Sequence, residues 1–188
     1  MDNRGRILES ALQLFAARGY DAIGVQEICT AAGITKPTLY HYFGSKGGLL
    51  DALVQQRSAA LLARLTAATA YAGDLPLSLR EVIEVYFQFA MREPLFYRLL
   101  LALWLTIPAN EAFHTVAALN EQQQQLVEAL FIAAAADHGN MRGRHRTYAA
   151  TFLGMINTYV SLSLNGYLEL EHDIAVQAVH QFSHGIYS

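Results

Sequence analysis

The 188-residue sequence predicts an all-α chain, with a small three-helix head built around a helix-turn-helix and a larger helical bundle following it. Three observations lead there. Apolar residues recur three and four apart along nearly the whole chain, and no stretch alternates with the period of two that a half-buried strand shows. Glycine and proline punctuate this pattern at intervals of helical length. Residues 25–46, VQEICTAAGITKPTLYHYFGSK, read as two short helices joined by a tight turn.

The first helix is expected from about Arg4 to Arg18, with Ile7, Leu8, Ala11, Leu12 and Phe15 on its apolar face and Gly19 ending it. In the second, Val25, Ile28, Cys29 and Ala32 share a face. Gly33, with no Cβ, supplies the left-handed residue that stops it. Thr35 is placed to cap the third helix by accepting from its first-turn amides. Pro37 falls inside that turn, where its missing N–H matters little. Leu39 and Phe43, four apart, face inward and leave Lys36, Thr38, Tyr40 and His41 largely outward, until Gly44 stops the helix. A short helix with a buried stripe and a cationic, hydroxyl-rich outer face suits the DNA major groove, entered by its N-terminal end.

Ser45 is positioned to cap a fourth helix, with Lys46 in its first turn and Leu49, Leu50, Leu53, Ala60 and Leu61 along its apolar face toward Tyr71. Gly47 and Gly48 make its start an expected soft joint, because glycine in a helix costs up to ~1 kcal/mol relative to alanine. Gly73 and Pro76 break the pattern, and five further helices are expected: Ser78 to Glu93, Pro94 to Ile107, Asn110 to Asp137, Met141 to Leu170, and Asp173 to about Tyr187. The glutamine run Gln122 to Gln125 reads as the wet side of the long helix that holds it.

Hydrophobic residues make up 53% of the chain and charged ones only 15%, so a surplus of apolar surface needs cover from a partner subunit or a ligand. One cysteine, Cys29, cannot form an internal disulfide, which points to a reducing cytoplasm; on the buried stripe it reads as a small core residue. The net charge of −3 divides into +1 over residues 1–50 and −4 over the remainder. Non-specific DNA affinity is therefore expected to be weak and quickly lost with salt. Residues 148–168 run without a charge at spanning length, but Asn157, Asn165 and three tyrosines make them too polar for an isolated span. A helix buried on both sides in a dimer is the better reading, with no membrane.

The run from Ile7 to Leu50 resembles the N-terminal domain of the TetR-like family of bacterial transcriptional regulators. The resemblance rests on Leu14-Phe15, Gly19-Tyr20, Ala31-Ala32-Gly33-Ile34, Thr38-Leu39-Tyr40-His41-Tyr42-Phe43 and Ser45-Lys46, spaced as in that family over roughly a quarter of the chain. It implies that residues 1–47 form a DNA-binding domain and 48–188 a helical domain for effector binding and dimerisation. Position by position, it implies DNA contacts from Gln26, Thr35, Lys36, Pro37, Thr38, Tyr40, His41, Tyr42 and Lys46. Lys36 is the best base reader, Pro37 and the Thr38 methyl can touch a thymine methyl, and Tyr40, Tyr42 and Lys46 suit phosphates. Arg4 and Arg6 can reach backbone or minor groove. Two departures stand out: Ile23-Gly24 where the family has a Thr or Ser cap, and Gly47-Gly48 where it often has acidic residues.

The C-terminal part resembles the family in layout only. Its aromatic residues are mostly core, and a pocket for an apolar or amphipathic effector is expected among Tyr86, Phe89, Phe96, Arg98, Trp104, Phe113, His114 and Asn157. Phe152, Ile156, Tyr159, Val160, Val179 and Phe182 are expected at a two-fold interface of the last two helices, with Ile174 and Ile186 on the same apolar faces. His180 and His184 share a helix face without a third ligand, so no metal is expected. No nucleophile elbow, phosphate-binding glycine loop or paired-carboxylate site is present, and no cofactor is expected. The chain reads as a homodimeric, ligand-responsive repressor binding a palindromic double-stranded DNA operator. The alternatives are a helical carrier or enzyme that retains an inert helix-turn-helix, and a dimeric module whose head binds a protein.

Overall fold

The structure, a computed structural model, describes residues 2–185. Among these, nine α-helices and one short 3-10 turn, Gly139–Met141, form the regular structure, with no strand. In order they are α1 (Asn3–Arg18), α2 (Val25–Ala32), α3 (Lys36–Phe43), α4 (Lys46–Ala68), α5 (Leu75–Arg92), α6 (Pro94–Trp104), α7 (Glu111–Ala134), α8 (His145–Leu164) and α9 (His172–His184). By internal contacts the chain divides into two compact units: Met1–Ala59 with Leu95–Leu119, and Ala60–Pro94 with Asn120–Ser188.

The first unit contains the head. Asp2 caps α1 by accepting from the Gly5 amide at 2.7 Å, and Ile7, Leu8, Ala11, Leu12 and Phe15 are buried, as the helical spacing predicts. α1 packs on α2, and α2 on α3. At the α2–α3 turn Gly33 has φ +63°, and the amides of Gly33 and Ile34 reach back to the carbonyls of Thr30 and Cys29. Two carbonyls left open by the end of α2 are thereby satisfied, and any residue with a Cβ would be strained there. Glu27 substitutes for the missing side-chain cap of α2: its Oε1 accepts from the Gly24 amide at 3.1 Å, and its Oε2 accepts from Arg18 at 2.6 Å. The amide, then Arg18, hold the Glu27 carboxyl below the usual carboxylate range. Leu39 is fully buried and is the one buried residue of α3, so truncating it to Ala costs about 2–5 kcal/mol of the packing that fixes this helix.

In the second unit α5 packs against α8 and α9. Phe131, Phe152 and Phe182 form an aromatic cluster, with Phe152 and Phe182 centroids 5.0 Å apart. Tyr86 donates to Gln123 Oε1 at 2.7 Å, and both side chains are buried. Gln123 is thus not on a wet face: α7 turns one glutamine of the run inward, where the tyrosine hydroxyl satisfies it.

Helix ends differ from expectation where polar turns intervene. α8 stops at Leu164 rather than Leu170, with the Asn165 amide turning back to Ser161 O and Gly166 at φ +77°. The uncharged run 148–168 is therefore a helix plus a turn, and no described helix is long and apolar enough to cross a membrane. α9 is described to His184, and the expected positions Ile186 and Tyr187 lie outside the described residues.

Candidate nucleic-acid interface

The N-terminal turn of α3 stands in the open. Thr35, Lys36, Pro37 and His41 are exposed, Thr38 is half-buried, and Tyr40 and Tyr42 are 47% and 42% exposed. Gln26, at the start of α2, is exposed as well. Thr35 occupies the cap position with extended backbone, but its side chain does not cap the helix; its Oγ1 lies 3.0 Å from Thr38 Oγ1 instead. That expectation is corrected: the hydroxyls pair with each other. The positive end of the helix dipole and Lys36 then share one exposed end of α3, a setting that favours an anionic partner.

The arginines of α1 are engaged within the first unit. Arg4 donates to Gln56 at 2.6 Å and lies 5.7 Å from the centroid of Phe43, while Arg6 donates to Asn3 at 2.5 Å.

The start of α4 is closely packed. Ser45 caps it, its Oγ accepting from the Gly48 amide at 2.9 Å, as expected. A Cβ on Gly48 would lie 2.1 Å from the carbonyl oxygen of Phe43. A Cβ on Gly47 would lie 1.7 Å from Oε1 of Glu111. The space of a side chain is taken by backbone at Gly48 and by the end of a side chain at Gly47. Packing is thus close at both positions of the expected soft joint.

Glu111 belongs to an open groove of about 690 Å³ inside the first unit, with Tyr40, Ser45 and Lys46 on the head side and Ile107, Asn110 and Glu111 opposite. Tyr20, buried against Phe15 at 5.1 Å between centroids, donates its hydroxyl to Glu111 Oε1 at 2.9 Å. The Lys46 ammonium lies 4.0 Å from the centroid of the same tyrosine ring. Burial pulls the Lys46 pKa below the usual lysine range, against the opposite pull of Asp21 and Glu111; burial, then Glu111, raises that of Tyr20. Two further bonds fix the same contact: Asn110 to Asp21 at 2.7 Å and Thr115 to Asp51 at 2.5 Å. Tyr20, Asp21, Asn110, Glu111 and Thr115 did not stand out in the sequence as site residues. They lie tens of residues apart, and the one available signal was the pair of glycines where side chains were expected.

Comparison with known proteins decides what carries this head. Residues 7–53 match the family model described as "Bacterial regulatory proteins, tetR family". The HTH-type transcriptional activator FasR of Mycolicibacterium smegmatis is 30% identical over 185 residues, covering 98% of this chain and 82% of FasR. The chain belongs to the TetR family. This TetR-family chain is a helix-turn-helix, DNA-binding transcriptional regulator, as the resemblance implied. Among solved structures, the TetR-family regulator PfmR of Thermus thermophilus matches with a TM-score of 0.74 at 25% identity, over 97% of this chain and 100% of PfmR. FadR of Bacillus subtilis, solved in complex with stearoyl-CoA, matches in fold with a TM-score of 0.80 at 18% identity, over 97% and 98%.

In this TetR-family chain the expected pocket residues differ in exposure. Tyr86, Phe89 and Phe96 are buried and Phe113 and Asn157 half-buried, but Arg98, Trp104 and His114 are exposed. Trp104 stacks on Phe113 at 5.4 Å between ring centroids. The expected interface residues also divide. Phe152, Ile156, Val160 and Val179 are buried within the chain, whereas Tyr159 and Phe182 are part-exposed. The latter two line a groove of about 680 Å³ on α8 and α9, with Tyr148, Met155 and Leu162. His180 and His184 stack at 4.5 Å, and among the described residues no group of three metal-ligating side chains is found.

Proposed function

We propose that this regulator binds a palindromic operator as a homodimer and releases it when a small apolar or amphipathic effector binds the helical part. The observation that carries the DNA reading is the exposed first turn of α3, with Lys36, Pro37 and Thr38 presented beside half-exposed Tyr40 and Tyr42. Lys36 reads guanine, Pro37 and Thr38 touch thymine methyls, and Tyr40, Tyr42 and Lys46 hold phosphates; Gln26, Thr35 and His41 complete the surface. Labour divides at the start of α4, with residues 1–47 reading DNA and 48–188 serving effector and partner. The groove on α8 and α9 supports dimerisation through Met155, Tyr159, Leu162 and Phe182. The protein works in the cytoplasm and catalyses no reaction.

An acyl-CoA is the first effector to test, since FadR, which shares the fold, was solved with stearoyl-CoA. To act, the effector must favour the DNA-incompetent state, and a tenfold loss of operator affinity requires ~1.4 kcal/mol of coupling. The sign of regulation follows from operator position: repression when the site overlaps the promoter. FasR, named an activator, supports a second reading in which the bound dimer recruits polymerase. Selection from a random duplex library tests the core proposal. An enriched palindrome with half-sites about 34–36 Å apart is expected. No enrichment, with or without a metabolite extract, would overturn it. Transcription in vitro from a promoter bearing that palindrome then separates repression from activation.

A further inference from the structure

We propose that Glu111 is an internal competitor for the DNA backbone: its carboxylate sits at the start of α4, beside Lys46, and lowers the affinity of the head for phosphate. The inference rests on the reading of Lys46 as a phosphate contact. Three observations carry it. Glu111 Oε1 occupies the place that a side chain at position 47 would take, 1.7 Å from the ideal Cβ of Gly47. Tyr20 fixes that carboxylate at 2.9 Å through its hydroxyl and offers its ring face to Lys46 at 4.0 Å, so acid and base are held by one aromatic side chain. Tyr40 and Ser45 line the same groove, so a phosphate approaching Lys46 enters beside Glu111.

The electrostatics set the sign. Around Lys46 the groove carries two carboxylates, Asp21 and Glu111, against one ammonium. Asp21 accepts from Asn110 at 2.7 Å and Glu111 from Tyr20 at 2.9 Å, and of the two it is Glu111 whose carboxylate lies against Gly47 in the first turn of α4. The dipole of a helix start favours a nearby anion, and here a carboxylate of the protein itself, from α7, lies beside that first turn. DNA must displace this carboxylate or bind against its repulsion. Glu111 acts on phosphate binding at Lys46 and is not itself a DNA contact.

Gly47 provides a second handle on the same interaction. Gly47→Ala puts a methyl group where Oε1 now lies, and the flexible end of Glu111 has to yield. Glu111→Gln removes the charge but retains an oxygen that can accept from Tyr20. The two substitutions reach one outcome by different routes.

The test uses full-length protein and a fluorescent random-sequence duplex at low salt, with wild type, Glu111→Gln, Gly47→Ala, Lys46→Ala and the Glu111→Gln/Lys46→Ala and Glu111→Gln/Gly47→Ala pairs. Glu111→Gln is expected to tighten duplex binding roughly twofold to fivefold, the range of a single exposed charge pair. Gly47→Ala should give a similar gain that does not add to it, and the gain should vanish when Lys46 is absent. Unchanged or weaker binding by a Glu111→Gln protein of wild-type helicity would overturn the inference. So would an equal gain with and without Lys46, which would mark a general charge effect. If Lys46→Ala alone leaves duplex affinity unchanged, the phosphate reading of Lys46 fails first and this inference falls with it.

Discussion

Lys36 and Lys46 carry the same charge in different surroundings, and the roles proposed for them separate accordingly. Lys36 is exposed on the first turn of α3, whereas Lys46 is half-buried over the ring of Tyr20. Lys36→Ala is expected to lose discrimination at particular base pairs, each worth about 1–3 kcal/mol. Lys46→Ala should instead weaken all sequences alike and flatten the salt dependence by about one unit of slope. Competition binding with single-base operator variants at two salt concentrations distinguishes the two; equal effects on every sequence would remove Lys36 as a reader. Glu27 supplies a residue-level pH dependence. Its folded-state pKa is depressed by the Gly24 amide and Arg18, so its contribution to stability is fully present above the ordinary carboxylate value, about 4.3, and is lost as pH falls through the folded value. Thermal melts of wild type and Glu27→Gln should therefore differ at neutral pH and converge in acid. A difference that persists undiminished would assign the effect to something other than this titration.

At the scale of the element, the start of α4 is a closely packed joint. Gly48→Ala drives a Cβ into the Phe43 carbonyl oxygen, a backbone atom that cannot rotate away. A loss of about 1–3 kcal/mol of head stability is expected, read by denaturant unfolding. Gly47→Ala meets only the far end of a side chain and should fold normally. Neighbouring glycines thus give opposite outcomes, and equal stability of the two variants would contradict the packing described. This joint also marks the limit of what the sequence disclosed. The helices of the head were legible because their buried positions, Ile7 to Phe15, Ile28, Cys29 and Leu39, obey a local period. The exposed surface of α3 followed from that period and the family resemblance. Glu111 against Gly47 obeys no local rule, since the two are brought together only by the fold. The same holds for α8: its apolar positions exceeded one stripe, but which of them faced inward depended on α5 and α9. Phe152 and Ile156 went to the core and Met155 and Leu162 to the groove.

For the whole molecule, the proposed consequence is a two-fold assembly held by the exposed side of α8 and α9. Met155→Glu places a charge in the apolar groove without touching the protomer core, so it should retain helicity yet dissociate the dimer. Sedimentation would show a monomer, and operator affinity would drop sharply, because each half-site would then be bound alone. A variant that remains dimeric would move the interface elsewhere.

The single cysteine of the chain is 1% exposed on α2, and burial raises its thiol pKa further. Thiolate-seeking reagents should therefore pass the native protein by. Introducing Gln13→Cys on the exposed face of α1 would give one reactive thiol per protomer and, in a two-fold dimer, a single pair of spin labels. Their separation, measured by electron–electron dipolar spectroscopy with and without an acyl-CoA, would follow the distance between the two heads without a crystal. The buried thiol makes the wild-type background silent for that measurement.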